Sequence, residues 1–301
     1  MTQKAYIKTA DRPLAYQENM LTGRHVAEKI FFGVGAASLE LQTALYEELD
    51  HDPYFTALEL PANFSDFFSV GMRRKLFERY SFLQTGSLAP LSLLENMIEE
   101  KRLQEEFIKG LQNLLEGILQ HNVKKVFLNF PMELILGEGK NPDALLFLEK
   151  ILKALFPVLL RGKGELLLPY RIPALPAGPA PCEFAAFIGK NRMSNIKASL
   201  QIHPHEIPRE GMDMELLLGT LALDTGSISF RYDAENGHML VKGHMAPFLQ
   251  YLLARGYKGG CFVIPLSNGN RLAPGEIDRF SLHAASFLGQ AQGKKEFAPL
   301  T

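Results

Sequence analysis

Apolar residues in this chain fall into two alternating patterns. Short continuous runs occur at residues 29–35 (KIFFGVG), 55–60 (FTALEL), 80–84, 124–130 (KKVFLNF), 165–170 (ELLLPY), 195–202 (NIKASLQI), 228–232 and 261–265. They are rich in aliphatic and aromatic side chains and predict strands buried on both faces. Between most of them apolar residues recur at steps of three and four, which predicts helices over 39–49, 67–80, 144–160, 183–189, 214–223, 246–255 and 278–288. Ahead of the fourth run, Leu103, Phe107, Leu111, Leu114, Leu115 and Ile118 form one apolar stripe. Pro157 predicts a kink or break near the end of the 144–160 helix. Arg73, Arg74 and Lys75 read as the solvated face of the 67–80 helix.

Eight strand runs separated by helices suit either a closed (β/α)8 barrel or an open doubly wound sheet. No strand is followed by a glycine-rich turn of the GxGxxG or P-loop kind, which removes the strongest sign of a nucleotide-binding open sheet. The predicted fold is therefore α/β, a (β/α)8 TIM barrel over residues 29–290. A polar N-terminal arm (1–28) precedes it and a tail (291–301) follows. A Pro-rich insertion, residues 171–181 (RIPALPAGPAP), comes after the fifth strand and reads as a lid, a crossover or a subunit contact. Parallel sheets collect their chemistry where strands end, which directs attention to the polar tips of the strand runs, above all the block 226–266.

Composition narrows the function classes. The 301 residues are 47% hydrophobic and 22% charged with a net charge of -1, the balance of a globular protein without a general attraction to phosphate backbones or anionic membranes. Cys182 and Cys261 lie far apart and form no CxxC pair, so neither a disulfide nor a cysteine zinc site is expected. The polar first twenty residues carry no apolar signal-peptide core, and no apolar run has the length of a membrane span. The cytoplasm is the expected setting. The expected partner is a small carbohydrate or anionic ligand, with no nucleic acid and no membrane; homo-oligomerisation is left open.

The segment RYDAENGH, followed by PFLQYLLARGYKGGCFVI, resembles the xylose-isomerase-like TIM barrels, a superfamily that includes sugar-phosphate isomerases, epimerases and endonuclease IV. Gly256-Tyr257-Lys258-Gly259 matches the turn that leads into the eighth strand of those proteins. Glu59-Leu60 resembles the end of their second strand, VKKVFLNF their fourth, and NIKASLQIHPHE their sixth. The resemblance implies a divalent metal held by a glutamate after strand five, an aspartate and often a histidine near strand six, a histidine near strand seven and a glutamate after strand eight. The metal would polarise substrate oxygens while a carboxylate moves a proton. The chain departs from this pattern: strand five ends in Pro169-Tyr170-Arg171, Gln201 stands where the aspartate is expected, Phe230 or Arg231 where the histidine is expected, and strand eight ends in Ile264-Pro265. The four-ligand site is expected to be degenerate.

A polar set survives at the strand tips. His203, His205 and Glu206 could rebuild a site for one divalent metal (Mn, Zn, Co or Mg), with Asp233 from the next strand; the alternative is that these are solvated loop histidines and that no metal is used. Glu59, Asp233 and Glu206 are the candidate acid–base groups. For Glu59 the competing role is to accept hydrogen bonds from a neighbouring arginine. Arg171 and Arg231 suit a carboxylate or phosphate on a ligand, or an ion pair that stiffens the rim. Tyr170, Asn129 and His238 complete the candidate substrate-binding set, and His244 shares a glycine-containing loop with His238. Two functions are expected on these grounds: a sugar or sugar-phosphate isomerase or epimerase, or a non-catalytic relative that binds a small ligand or serves in an assembly. A multi-metal DNA-repair nuclease is disfavoured by the near-neutral charge and absent ligands.

Overall fold

The computed structural model describes residues 31–34, 56–136, 140–171, 181–190, 194–202, 225–232, 257 and 259–265. Within them eight parallel strands close into a barrel in sequence order. They are β1 (Phe31–Val34), β2 (Ala57–Leu60), β3 (Phe82–Ser87), β4 (Lys125–Phe127), β5 (Glu165–Arg171), β6 (Ile196–Ile202), β7 (Thr225–Tyr232) and β8 (Gly260–Pro265). The last strand pairs back onto the first, with Phe31 opposite Gly260 and Val34 opposite Val263. The eight-stranded barrel expected from the alternating pattern is the observed fold. The predicted helices at 39–49, 214–223, 246–255 and 278–288, the arm, the tail and most of the Pro-rich insertion lie outside the described residues. No helix among the described residues is long and apolar enough to cross a membrane.

Several boundaries move. Strand three begins at Phe82 and runs to Ser87, past the expected end at Gln84, because the TGS segment keeps pairing with β4 through a register shift between Thr85 and Ser87. The helix expected over 67–80 is two: α1 (Phe64–Phe67) and α2 (Val70–Arg79), divided where the Ser69 hydroxyl accepts from the Met72 amide and caps α2. Helices α3 (Leu91–Glu99) and α4 (Gln104–Gln120) follow β3. Leu103 lies ahead of α4 and is exposed; the buried stripe is Ile108, Leu111, Leu115, Ile118 and Leu119. Helix α5 (Pro142–Gly162) starts at an Asn141 cap with Pro142 in its first turn and runs unbroken through Pro157. The expected break does not occur. Pro157 is on the exposed face, beside exposed Lys153, whose freed carbonyl water can satisfy, and Gln112 of α4 donates to the neighbouring Ala154 carbonyl at 2.8 Å. Helix α6 (Pro181–Lys190) leads to β6.

Alternation along the strands divides their side chains between two cores. Leu58, Leu60, Val126, Leu128, Leu166, Leu168, Tyr170, Ala198, Leu200, Ile228 and Cys261 join the helices in one large apolar cluster. Ala57, Phe82 and Phe262 form a separate small cluster made of strand residues alone, the apolar floor of the barrel lumen. Burial holds the Cys261 thiol far above its ordinary range, so it is a packing group rather than a nucleophile. Tyr257 explains the turn before β8: its buried hydroxyl donates to the Gly260 carbonyl at 2.7 Å, and a Cβ at Gly259 would stand 2.4 Å from that oxygen. Only glycine fits there.

Two outcomes test this packing. Phe147 on α5 is 1% exposed between Phe107 and Phe130, at ring distances of 6.0 and 6.1 Å. Phe147→Ala should lose about 3–5 kcal/mol in urea unfolding, whereas Leu146→Ala, on the exposed side, should change stability by less than about 0.5 kcal/mol. The second concerns His121, which accepts from Arg73 at 3.1 Å and packs edge-on to Phe64. Burial, with Arg73 adding to it, lowers its proton affinity. The unfolded chain therefore takes up the proton first, and stability falls as pH drops through about 6.5. The urea midpoint should drop less between pH 7.5 and 5.5 in His121→Gln than in wild type; equal drops would remove His121 as the cause.

Candidate functional site in the barrel lumen

Inward positions on β2 to β5 carry a polar strip. Glu59 on β2 pairs in register with Gln84 on β3, Gln84 with Lys125 on β4, and Lys125 with Glu165 on β5. Glu59 is buried, and its carboxylate accepts from the Gln84 Nε2 at 2.5 Å. The Lys125 ammonium donates to the Glu165 carboxylate and stands 5.5 Å above the Phe82 ring. Glu165 and Lys125 begin their strands, so this ion pair lies toward the N-terminal end of the barrel. Glu59 sits one residue before the end of β2, nearer the C-terminal mouth.

The opposite wall is built of small side chains. Ser199 on β6 and Ser227 and Ser229 on β7 are buried, and the Ser227 hydroxyl donates to Ser199 at 2.9 Å. β7 carries an irregularity at Gly226, where a Cβ would meet Leu167 at 2.5 Å and Lys197 at 2.9 Å; glycine there lets β7 close onto β6. At the mouth, Arg171 ends β5 opposite Gln201, and Gln201 is opposite Ser229. The Ser87 hydroxyl ties the ends of β3 and β4 together: it donates to the Ala89 carbonyl and accepts from the Asn129 amide at 2.9 Å. Asn129, just beyond β4, is half-buried at the rim.

The sequence-predicted residues divide as follows. Glu59, Asn129 and Arg171 lie on the lumen or its mouth. Tyr170 does not: alternation turns it out with Leu168 into the helix layer, where it is 1% exposed and packs on Phe184 of α6 at 4.9 Å. It shapes the wall from the helix side. Arg231 is the penultimate residue of β7, opposite Ile264 and two residues beyond Ser229. His203, His205, Glu206, Asp233, His238 and His244 lie outside the described residues. Gln84, which donates to Glu59, forms no sequence motif, because an amide inside a strand has none; its place opposite a strand-end glutamate is its signal.

His203, His205, Glu206 and Asp233, the residues expected to hold a divalent cation, lie outside the described residues. Among the described residues no three of His, Cys, Asp and Glu converge. The ends of β5 and β6 present a guanidinium and an amide, Arg171 and Gln201, where a hard cation needs carboxylates or imidazoles. What this wall does suit is a polyhydroxylated or anionic small molecule: amides and hydroxyls to pair with hydroxyl groups, one fixed cation at the rim, and a carboxylate beneath.

Solved structures with this architecture are numerous. A D-psicose 3-epimerase with D-tagatose from Clostridium cellulolyticum H10 aligns over 87% of this chain and 99% of its own, with a TM-score of 0.58 and 14% identity. An L-ribulose 3-epimerase aligns over 88% and 95%, with a TM-score of 0.61 and 14% identity. The chain shares the (β/α)8 barrel fold of these structures. An AP endonuclease of family 2 from Brucella melitensis shares the fold too, over 80% of this chain and 95% of its own, with a TM-score of 0.57 and 13% identity. No protein-family model matches the sequence, and no curated protein matches it. At these identities the likeness of this barrel to the solved structures is one of fold, and its chemistry has to be argued from its own lumen.

Ser87 tests the mouth. Ser87→Ala leaves the Asn129 amide and the Ala89 carbonyl without their side-chain partner and should cost about 1–2 kcal/mol. Amide exchange at Asn129 should accelerate; unchanged exchange there would show that the two strand ends are held by something else.

Proposed function

We propose that this xylose-isomerase-like barrel is a sugar or sugar-phosphate epimerase or isomerase that moves a proton on a small carbohydrate at the C-terminal mouth. The observation that carries the reading is a buried carboxylate, Glu59, in the lumen of a fold whose solved relatives include D-psicose and L-ribulose 3-epimerases. Glu59 takes the proton from a carbon next to the substrate carbonyl. The C–H electron pair becomes the enolate double bond, and the carbonyl oxygen takes up the charge. The proton then returns to the opposite face of that carbon, giving the epimer, or to the former carbonyl carbon while the hydroxyl on the first carbon passes its proton to the enolate oxygen and becomes the new carbonyl, giving the isomer. Nothing is oxidised or reduced overall, so no electron acceptor is needed. Asp233 and Glu206 are the candidates for the second acid–base group that a proton delivered to the opposite face requires.

Around the reacting carbon, Asn129 and Gln201 pair with sugar hydroxyls, Arg171 and Arg231 receive a phosphate or carboxylate, and His238 is a further candidate ligand contact. No step is assigned to a metal; His203 and His205 are the pair whose removal would decide whether a divalent cation is held at the mouth. A reducing cytoplasm is the setting that accords with the free, buried Cys261.

The test is deuterium incorporation. D-psicose, D-tagatose, D-fructose and L-ribulose are incubated with the protein in D2O, with and without prior chelation and added Mn, Co, Zn or Mg, and followed by NMR. Exchange at the carbon beside the carbonyl is expected, and Glu59→Gln should lower it by about 100- to 10,000-fold without altering the circular dichroism. Binding of a sugar without exchange under any of these conditions would replace the enzyme by a carbohydrate-binding barrel.

A further inference from the structure

We propose that Gln84 is the positioning residue for Glu59, its amide turning over as Glu59 gains and loses the proton, an inference that rests on the acid–base role just given to Glu59. Gln84 is 1% exposed, and one end of its amide is used: Nε2 donates to the Glu59 carboxylate. The other end is not: Oε1 is buried and accepts no hydrogen bond among the described residues. A buried amide oxygen without a donor is uncommon in folded proteins and asks for an explanation.

The explanation lies in what a proton-transfer base has to do. A carboxylate only accepts hydrogen bonds, whereas the acid it becomes must also donate one. A partner with donors alone, such as lysine or arginine, suits the first form and opposes the second. An apolar partner suits neither. A carboxamide carries a donor and an acceptor of nearly the same shape on one rotor. With Glu59 ionised, Nε2 faces it and Oε1 is spare; with Glu59 protonated, a half-turn of the amide brings Oε1 to accept from the new O–H. No other heavy atom has to move, and the lumen stays closed.

Among the described residues, the charged side chains on the neighbouring strands include Lys125, Glu165 and Lys197. On β4 the residue beside Gln84 is Lys125, but its ammonium is committed to Glu165 of β5 and to the Phe82 ring. Lys197 is half-buried at the N-terminal end of β6. Thr85, whose buried hydroxyl also has no partner among the described residues, pairs with outward-facing Val126 on the helix side and takes no part.

Two NMR signals in the full-length protein test this. With [δ-13C]glutamate labelling, the Glu59 carboxyl resonance, assigned by its loss in Glu59→Gln, is followed against pH; the Gln84 side-chain 15N resonance is followed in the same samples. The Gln84 resonance should move with the Glu59 midpoint in wild type and be pH-independent in Glu59→Gln. In Gln84→Met, which keeps the volume and removes both hydrogen-bonding groups, the Glu59 midpoint should rise by about one pH unit, a tenfold change in proton affinity. A Gln84 resonance that ignores the Glu59 titration overturns the proposal, and that measurement needs no variant at position 84. Where a ketose is turned over, Gln84→Met should lower kcat about tenfold with KM changed less than twofold. If none of the four ketoses exchanges, the functional reading fails while the two titrations still decide the role of Gln84.

Discussion

Closure of the sheet is the constraint on which everything else in this molecule depends. Each strand has a hydrogen-bonded neighbour on both sides, so each has one face toward the lumen and one away from it. A period-two chain in that position must send every second side chain to a different environment. The choice between them is made residue by residue, and it sets chemistry apart from packing. Leu60 goes to the helices and Glu59 to the lumen; Tyr170 goes to the helices while Arg171 ends its strand at the mouth.

The two environments differ in what they tolerate. The helix layer is filled with aliphatic and aromatic side chains that interlock across α3, α4 and α5. The lumen holds a carboxylate, an amide, an ion pair and a wall of serines above a small apolar floor. Burying polar groups there is unfavourable unless they satisfy one another, and most of them do: Ser199 with Ser227, Lys125 with Glu165, Glu59 with Gln84. The incomplete satisfaction of Gln84 stands out against that background, and it occurs beside the buried acid best placed to work on a substrate.

The barrel was legible in the sequence because its strands and helices differ in period. Continuous runs such as ELLLPY and spaced stripes such as that of α5 separate without any knowledge of neighbours, and the closed eight-strand order followed from their count and alternation. Local capping and pairing were harder to read. The break between α1 and α2 depends on one serine hydroxyl, the extension of β3 depends on a partner strand forty residues away, and Pro157 is harmless only because it faces water. Of the site, Glu59 was legible as a polar residue ending an apolar run. The direction of Tyr170 was not, since a tyrosine beside an arginine at a strand end looks like a ligand contact until the phase of the alternation is known. Gln84 was invisible for the same reason: its importance comes from the residue across the ladder, and register is a property of two segments at once.

The serine wall has a consequence for how such barrels change over time. Ser199, Ser227 and Ser229 lie at inward positions of the alternation, so a larger or charged side chain introduced there would meet lumen contents first. The lining is in that sense a panel that can be rewritten while the frame stays put. A lineage could exchange one set of inward groups for another, losing imidazoles and carboxylates here and gaining hydroxyls there, without passing through an unfolded ancestor. The barrel aligns over nearly nine-tenths of its length with proteins with which it shares about one residue in seven, as a frame separable from its lining would allow.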